Sequence, residues 1–155
     1  MEKEIASESK PMNEGRYIRQ TIEKNLEPLI KRIVERFKVE ATPAYARMDD
    51  PALRKIVEGA LSQTCRWLEY GPPTTIEADL QVGLQERLSM GFTVKDFIST
   101  TGIIEDECKK YCQKLFMADL GLSDRATRKI NFIYINVNLI ETRLAMKYRM
   151  SGKNM

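Results

Sequence analysis

The stretch IEADLQVGLQERLSMGFTVKDF, residues 76–97, predicts two consecutive α-helices separated by a short break. Apolar side chains recur in its first half at helical spacing, at Ile76, Leu80, Leu84 and Leu88. We expect this helix to run from Thr75 to Met90 and to end at Gly91, because glycine is favoured just beyond a helix C-terminus. Thr93 begins the second helix, with Asp96 three residues later in a variant of the capping box.

Towards the N-terminus, the same helical spacing predicts a long helix that starts at Asn13 or Glu14 and runs to about Val39. Pro28 lies inside it and predicts either a kink or a restart capped by Asn25. A short turn follows from Thr42-Pro43 to Met48, because proline is favoured at the first helical position.

Three further signals complete an all-α prediction. Asp50-Pro51 begins a helix that ends at Gly71-Pro72-Pro73. The helix from Thr93 is predicted to reach about Leu120 and to end at Gly121. Ser123 or Asp124 then caps a last helix that runs to about Met150. The domain is therefore predicted over residues 13–150, after a disordered lead at 1–12 and before a flexible C-terminus at 151–155.

The composition excludes several classes of protein. The 155 residues suffice for one domain, and a net charge of +3 with interleaved signs does not favour nucleic-acid binding. The three cysteines form no CxxC pair, which fits a reducing compartment. No signal peptide and no apolar run of membrane-spanning length is present. We predict a cytoplasmic protein with no membrane span.

The chain has no histidine, which removes histidine-based acid–base chemistry, histidine metal ligands and the usual axial ligand of haem. It also lacks a glycine-rich phosphate loop and a GxSxG motif. The sequence therefore predicts a protein that is not an enzyme, with no catalytic residues, no metal site and no haem.

The last predicted helix has two apolar faces. At about 100° per residue, one face collects Ile130, Ile133, Val137, Ile140, Leu144 and Tyr148. The opposite face carries Phe132, Ile135, Leu139, Met146 and Met150. One apolar face is enough for a helix at a monomer surface. The second face therefore predicts either a dimer interface at Phe132, Ile135, Leu139 and Met146 or a helix buried on both sides within the monomer.

Several polar side chains fall on apolar faces. Arg87 either binds a carboxylate or another anion at a pocket mouth, or extends its charged end into water. Arg54 and Arg66 are weaker anion-binding candidates, and Tyr45 adds a hydroxyl. Glu105 is either a buried carboxylate or an edge residue that reaches water or pairs with Lys109.

The three cysteines, Cys65, Cys108 and Cys112, fall on or near apolar faces. A metal site would need further ligands and a disulfide within one helix would be strained, so we predict buried free thiols.

Residues 76–97 combine a helix, a break at Gly91-Phe92 and a capped helix start. This pattern is similar to the middle of the non-haem globin sensor domains of bacilli, which include N-terminal domains of stressosome regulators. Helix order and length over most of residues 13–150 resemble the same family. The resemblance is to its stand-alone sporulation-inhibitory proteins, which are similar to the sensor domain of a sporulation sensor histidine kinase.

The resemblance implies a globin-like fold without the first globin helix and a homodimer formed through the last two helices. It also implies an apolar tunnel for a fatty-acid-like ligand in place of haem. Combined with the helix phases, it predicts that the pocket is lined by Ile33, Phe37, Val57, Leu61, Thr64, Leu68, Leu80, Leu84, Leu88, Phe97, Thr101 and Ile104.

The resemblance further implies that Arg87 or a neighbour binds the ligand carboxylate; chloride is another anion for the same basic position. A stand-alone sensor domain can inhibit sporulation by titrating the signal away from the sensor histidine kinase, or by pairing with the kinase. The alternative is a ligand-free helical interaction or scaffold domain of a stress-response complex, with a solidly packed pocket.

Overall fold

The computed structural model describes residues 14–70 and 76–152, and every regular element in these ranges is a helix. The all-α prediction is confirmed for this part of the chain. The helices are α1 (Glu14–Glu23), α2 (Glu27–Glu40), α3 (Pro43–Ala46), α4 (Asp50–Tyr70), α5 (Ile76–Ser89), α6 (Val94–Leu115) and α7 (Leu120–Met150). The predicted lead, the Gly71-Pro72-Pro73 stop and residues 153–155 lie outside the described ranges. Within those ranges no helix has the length and apolarity to cross a bilayer.

Pro28 marks a restart and not a kink. α1 ends at Glu23 and α2 begins at Glu27, with the proline in its first turn. The predicted cap at Asn25 is wrong, because Leu26 occupies the cap position and makes no side-chain capping bond. The Asn25 carbonyl instead accepts a hydrogen bond from the hydroxyl of Tyr111 on α6, which ties the break between α1 and α2 to the rest of the fold.

The break between α5 and α6 forms as predicted. Gly91 has a φ of +95°, a conformation that favours glycine. Thr93 and Asp96 form the capping box, in which the Thr93 amide donates to the Asp96 carboxylate at 2.8 Å. The Thr42 hydroxyl, at the start of α3, donates to the same carboxylate. Asp96 therefore fixes both the start of α6 and the position of α3.

The boundary between α6 and α7 differs from the prediction. α6 ends at Leu115, and Asp119 caps α7 by accepting a hydrogen bond from the Leu122 amide at 3.1 Å. Gly121 and Ser123 consequently lie inside the first turn of α7 and neither ends nor caps a helix. The predicted caps Ser123 and Asp124 are therefore wrong: Asp119 precedes them, and its side chain bonds to a free amide of the first turn.

Helix packing produces one main core and a smaller cluster. α6 and α7 share the most extensive contact, α1 packs on α4, and α5 packs mainly on α7. At the α1–α4 contact, a Cβ on Gly15 would lie 2.6 Å from the Leu68 carbonyl oxygen, so only glycine fits. The smaller cluster contains Leu84, Leu88, Phe97, Leu144 and Ala145 and joins α5 to α6 and α7.

The acidic residues of α6 are paired. Glu105 pairs with Lys109 at 2.8 Å, which confirms the edge interpretation. Glu107 is buried, with only 2% of its surface exposed, and is therefore not the solvated-face charge that its acidic neighbours Glu105 and Asp106 suggest. Its carboxylate pairs with Arg32 at 2.8 Å and Arg36 at 2.7 Å, both on α2. This buried carboxylate therefore joins α6 to α2.

The three cysteines are free and buried, as predicted. Burial raises the pKa of the Cys65 and Cys112 thiols to about 12. Thiols held protonated in this way are poor nucleophiles, which makes them packing residues.

Candidate functional site

A cleft of about 510 Å³ lies between α4 and α5, with α6, α7 and the α3 region forming its inner wall. This volume falls within the range of small-molecule sites. Most of the lining is apolar, from Met48, Ala52, Ile56, Ala60, Trp67, Leu80, Met90, Phe92, Phe97, Ile104 and Val137. The cleft is partly open to solvent and has Lys55 and Glu86, both exposed, in its lining.

Hydrogen bonds at Asp79 join α4 to α5. Its carboxylate accepts from the Trp67 indole nitrogen at 3.0 Å and from Arg66 at 3.1 Å. Its backbone carbonyl accepts from the Gln63 side chain at 3.4 Å. Because Asp79 lies in the first turn of α5 and Trp67 near the end of α4, these bonds hold the two helices together where the chain passes from one to the other.

Arg87 projects from the last turn of α5 into the cleft. Its guanidinium carbon lies 5.6 Å from the centre of the Phe97 ring, a cation–π contact that orients the side chain. Its Nε is buried and has no hydrogen-bond partner among the described residues. Guanidinium donors that find no protein acceptor are available to an anionic or carbonyl ligand.

Glu141, on α7, lines the same cleft and is only 4% exposed. Its Oε1 also has no hydrogen-bond partner in the described part of the chain. Burial raises the pKa of Glu141 to about 7, since a low-dielectric environment disfavours the ionised form, and Arg87 partly opposes this rise.

Two tyrosines add hydroxyls to the cleft wall. Tyr45, on α3, is 2% exposed and packs edge-on against Phe92, with ring centres 4.8 Å apart. Burial raises its pKa to about 12. Tyr134, on α7, shares a hydrogen bond of 2.7 Å with the Thr64 hydroxyl, and burial raises its pKa well above the usual value. Both phenols therefore stay protonated at neutral pH.

The structure brings four of the predicted pocket residues into the cleft lining, namely Leu80, Phe97, Thr101 and Ile104. The others are buried but do not line it. They are core residues at Ile33, Phe37, Val57, Leu61, Thr64, Leu68, Leu84 and Leu88. Helix phase identifies which side of a helix is buried, whereas the cleft occurs only where two neighbouring helices diverge.

The anion-binding candidates separate into two groups. Arg87 and Tyr45 line the cleft, whereas Arg54 and Arg66 do not. Arg54 pairs with Glu27 and Glu58, and Arg66 pairs with Asp79. Carboxylates of the chain itself therefore occupy the guanidinium groups of Arg54 and Arg66.

The sequence analysis missed Glu141, although a signal for it was present. Glu141 lies four residues after Val137 and three before Leu144, both of which are buried. The predicted apolar face of this helix includes the adjacent Ile140 and not Glu141. A carboxylate at a core spacing is a recognisable candidate for a binding site.

The second apolar face of α7 is exposed. Phe132 is 48% exposed, Ile135 49%, Leu139 63% and Met146 56%. The alternative of a helix buried on both sides within the monomer is therefore wrong. Four large apolar side chains along one exposed helix face are typical of a protein interface.

The chemistry available in the cleft is recognition by a mostly apolar wall and by charged side chains, of which Arg87 and Glu141 each have a buried atom without a partner among the described residues. Among residues 14–70 and 76–152, no three Cys, Asp or Glu side chains are grouped so that they could hold a metal ion. Comparison with known proteins adds no relative: no family model, no curated protein and no solved structure matches the chain.

Proposed function

We propose that this protein is a sensor domain, and not an enzyme, which binds a fatty-acid-like ligand in the cleft between α4 and α5. The observation that carries the proposal is Arg87, whose buried Nε has no protein partner in a cleft with mostly apolar walls. An acyl chain is the complementary ligand, because its tail buries apolar surface and its carboxylate accepts from a guanidinium. Chloride is a second anion for the same guanidinium.

The fold proposed for this function is globin-like and lacks the first globin helix. The order of helices, with a short α3 and two long final helices, supports it. In this arrangement the ligand takes the place of haem, for which the chain has no histidine.

A second copy of the chain is the proposed partner of the exposed α7 face. The four apolar residues of that face lie at spacings of three, four and seven along the helix, so they form one strip. A two-fold axis would place this strip against its copy, which is the usual symmetry of small homo-oligomers.

In the cell, the proposed role is to inhibit sporulation signalling in the cytoplasm. A domain that binds the signal lowers the amount that reaches the sensor histidine kinase whose sensor domain it resembles. Pairing with that kinase through the α7 face gives the same result by a second route. The three free thiols fit a reducing compartment.

A ligand titration tests the proposal directly. Trp67 is the sole tryptophan and lines the cleft, so its fluorescence reports binding without a label. We expect saturable binding of decanoic acid to the wild-type protein, and binding weaker by about tenfold or more in Arg87→Ala, because a charge-assisted hydrogen bond is lost. Arg54→Ala is the matched control, since Arg54 lies outside the cleft, and its affinity should equal that of the wild type.

The cellular role has its own test. Expression of the wild-type protein in a sporulating bacillus should lower the number of heat-resistant spores, and Arg87→Ala at equal abundance should not. Equal inhibition by both proteins would contradict the titration route and leave action through the exposed α7 face, either by pairing with the kinase or as a ligand-free interaction or scaffold domain, which is the second candidate function.

A further inference from the structure

Arg87 and Glu141 face the same cleft from different helices, α5 and α7, and each keeps a buried polar atom without a partner. A buried polar atom that makes no hydrogen bond destabilises the folded protein. Two such atoms in one cleft indicate a ligand whose head group satisfies both. Arg87 can only donate hydrogen bonds, so that head group must carry an acceptor.

Glu141 also restricts which hydrogen-bonding groups the head group can have. Ionised, its carboxylate can only accept a hydrogen bond, whereas protonated it can also donate one. Arg87, Tyr45 and Tyr134 are the titratable or charged groups that interact electrostatically with Glu141 inside the cleft. Thr101, on α6, is neutral and bonds to Asn138 at 2.8 Å. Three further charged residues line the cleft: Lys55 on α4 and Glu86 on α5 are exposed, and Asp79 on α5 is bonded to Trp67 and Arg66.

We propose that Glu141 is a specificity-determining residue of the cleft. Its carboxyl group forms one hydrogen bond with the ligand head group, while Arg87 donates another hydrogen bond to the same head group. The proposal rests on the proposed function, since it concerns the head group of the same ligand. In this role, Glu141 distinguishes head groups that have a hydrogen-bond donor from head groups that have only acceptors.

A carboxylate head group has hydrogen-bond acceptors but no donor. When Glu141 is protonated, its hydroxyl donates to the ligand carboxylate and binding requires no proton from solution. When Glu141 is ionised, two negative carboxylates meet, and binding requires that one proton be taken up from solution. A primary amide differs, because its NH₂ donates to an ionised Glu141 and its carbonyl accepts from Arg87. The acid should therefore bind in a pH-dependent way and the amide should not.

Two ligands with the same chain test this in the wild-type protein. Decanoic acid and decanamide are titrated at about pH 6 and about pH 8.5, with Trp67 fluorescence and calorimetry as readouts. Because each pH unit above the pKa of Glu141 costs about a factor of ten in affinity, we expect acid binding to weaken at least tenfold. Amide binding should change by less than about threefold. Acid binding that is constant over this range would overturn the proposal.

Glu141→Gln supplies the second test, because glutamine has almost the same shape and donates at every pH. We expect the variant to bind decanoic acid with the same affinity at both pH values. A thermal melt confirms that the variant is folded. Retention of the wild-type pH dependence in this variant would contradict the role of Glu141 while leaving the proposed function intact. If neither ligand binds the wild-type protein at either pH, the proposed function itself fails, and this inference with it.

Discussion

The Trp67 indole nitrogen donates a hydrogen bond to the Asp79 carboxylate at 3.0 Å, and this bond joins α4 to α5 beside the cleft. Asp79 also accepts from Arg66, so one carboxylate satisfies two donors of α4. The position of α5 relative to α4, and hence the width of the cleft, depends on this contact.

Replacement of Asp79 tests that dependence. We expect Asp79→Ala to lower the free energy of unfolding by about 1–3 kcal/mol, because the part-buried Trp67 donor loses its partner. Trp67 emission should also change in the folded state. Asp79→Asn keeps one acceptor oxygen and should be milder on both counts. Equal effects of the two substitutions, measured by urea unfolding and fluorescence, would show that the hydrogen bond does not hold this end of the cleft.

Gly15 provides a test of the α1–α4 contact. A Cβ at this position would lie 2.6 Å from the Leu68 carbonyl and 2.8 Å from the Glu69 carbonyl, both of which are backbone atoms. We expect Gly15→Ala to destabilise the protein by about 1–3 kcal/mol through overpacking. Gly102→Ala, in α6 with no atom within 4 Å of the new Cβ, should stabilise it by about 0.5–1 kcal/mol. Urea unfolding measures both, and a neutral Gly15→Ala would contradict the close approach of the two helices.

The stability of the unliganded protein should depend on pH through Glu141. Its pKa in the folded state, about 7, lies above the ordinary 4.5, so the folded state binds the proton more tightly than the unfolded state. The contribution of Glu141 to the free energy of unfolding is therefore fully present below pH 4.5 and is lost as the pH rises through 7. The loss should be on the order of 2–3 kcal/mol between about pH 5 and pH 8.

Four other carboxyl groups contribute to stability in a different pH window. Glu27, Glu40, Glu69 and Asp106 have lowered pKa values because arginines bond to them, so their contribution disappears only under more acidic conditions. Chemical unfolding across this range should show the slope in the wild type and in Glu58→Gln, an exposed control, but not in Glu141→Gln. A slope that survives in Glu141→Gln would assign it to another group.

The exposed face of α7 should determine the oligomeric state. We expect a dimer for the wild type in sedimentation velocity and a monomer for Leu139→Asp, because a charge at the centre of an apolar interface is left without a partner. Val82→Asp, on α5 and 75% exposed in the monomer, is the matched control and should remain dimeric. A wild-type monomer at all concentrations would remove the proposed second copy.

The sequence predicted the helices well because their signals are local. The capping box of Thr93 and Asp96 and the glycine at position 91 act within one or two turns, and both were found. The end of α6 was misplaced, since Asp119 competes with three later residues that also favour a helix boundary. Local sequence patterns do not show which of several possible boundary residues begins the helix.

The cleft was harder to predict than the helices. Its position depends on how α5 diverges from α4. Helix phase shows which side of each helix is buried, but it does not show how two helices pack against each other. Arg87 was predicted because arginine is unusual on an apolar face, and Tyr45 because the short turn offers its hydroxyl. Eight buried residues, in contrast, were assigned to a pocket that they do not line. Glu141 was missed because the neighbouring Ile140 fitted the same face. Sequence reasoning therefore located the arginine that lines the cleft but not the carboxyl group of Glu141 beside it.

Native mass spectrometry of the purified protein shows whether the cleft between α4 and α5 holds an acyl ligand. We expect a dimer with an added mass in the range of a fatty acid, which organic solvent extracts and which Arg87→Ala retains poorly. A wild-type protein with no added mass, no extractable lipid and no thermal shift on addition of fatty acids would contradict this expectation.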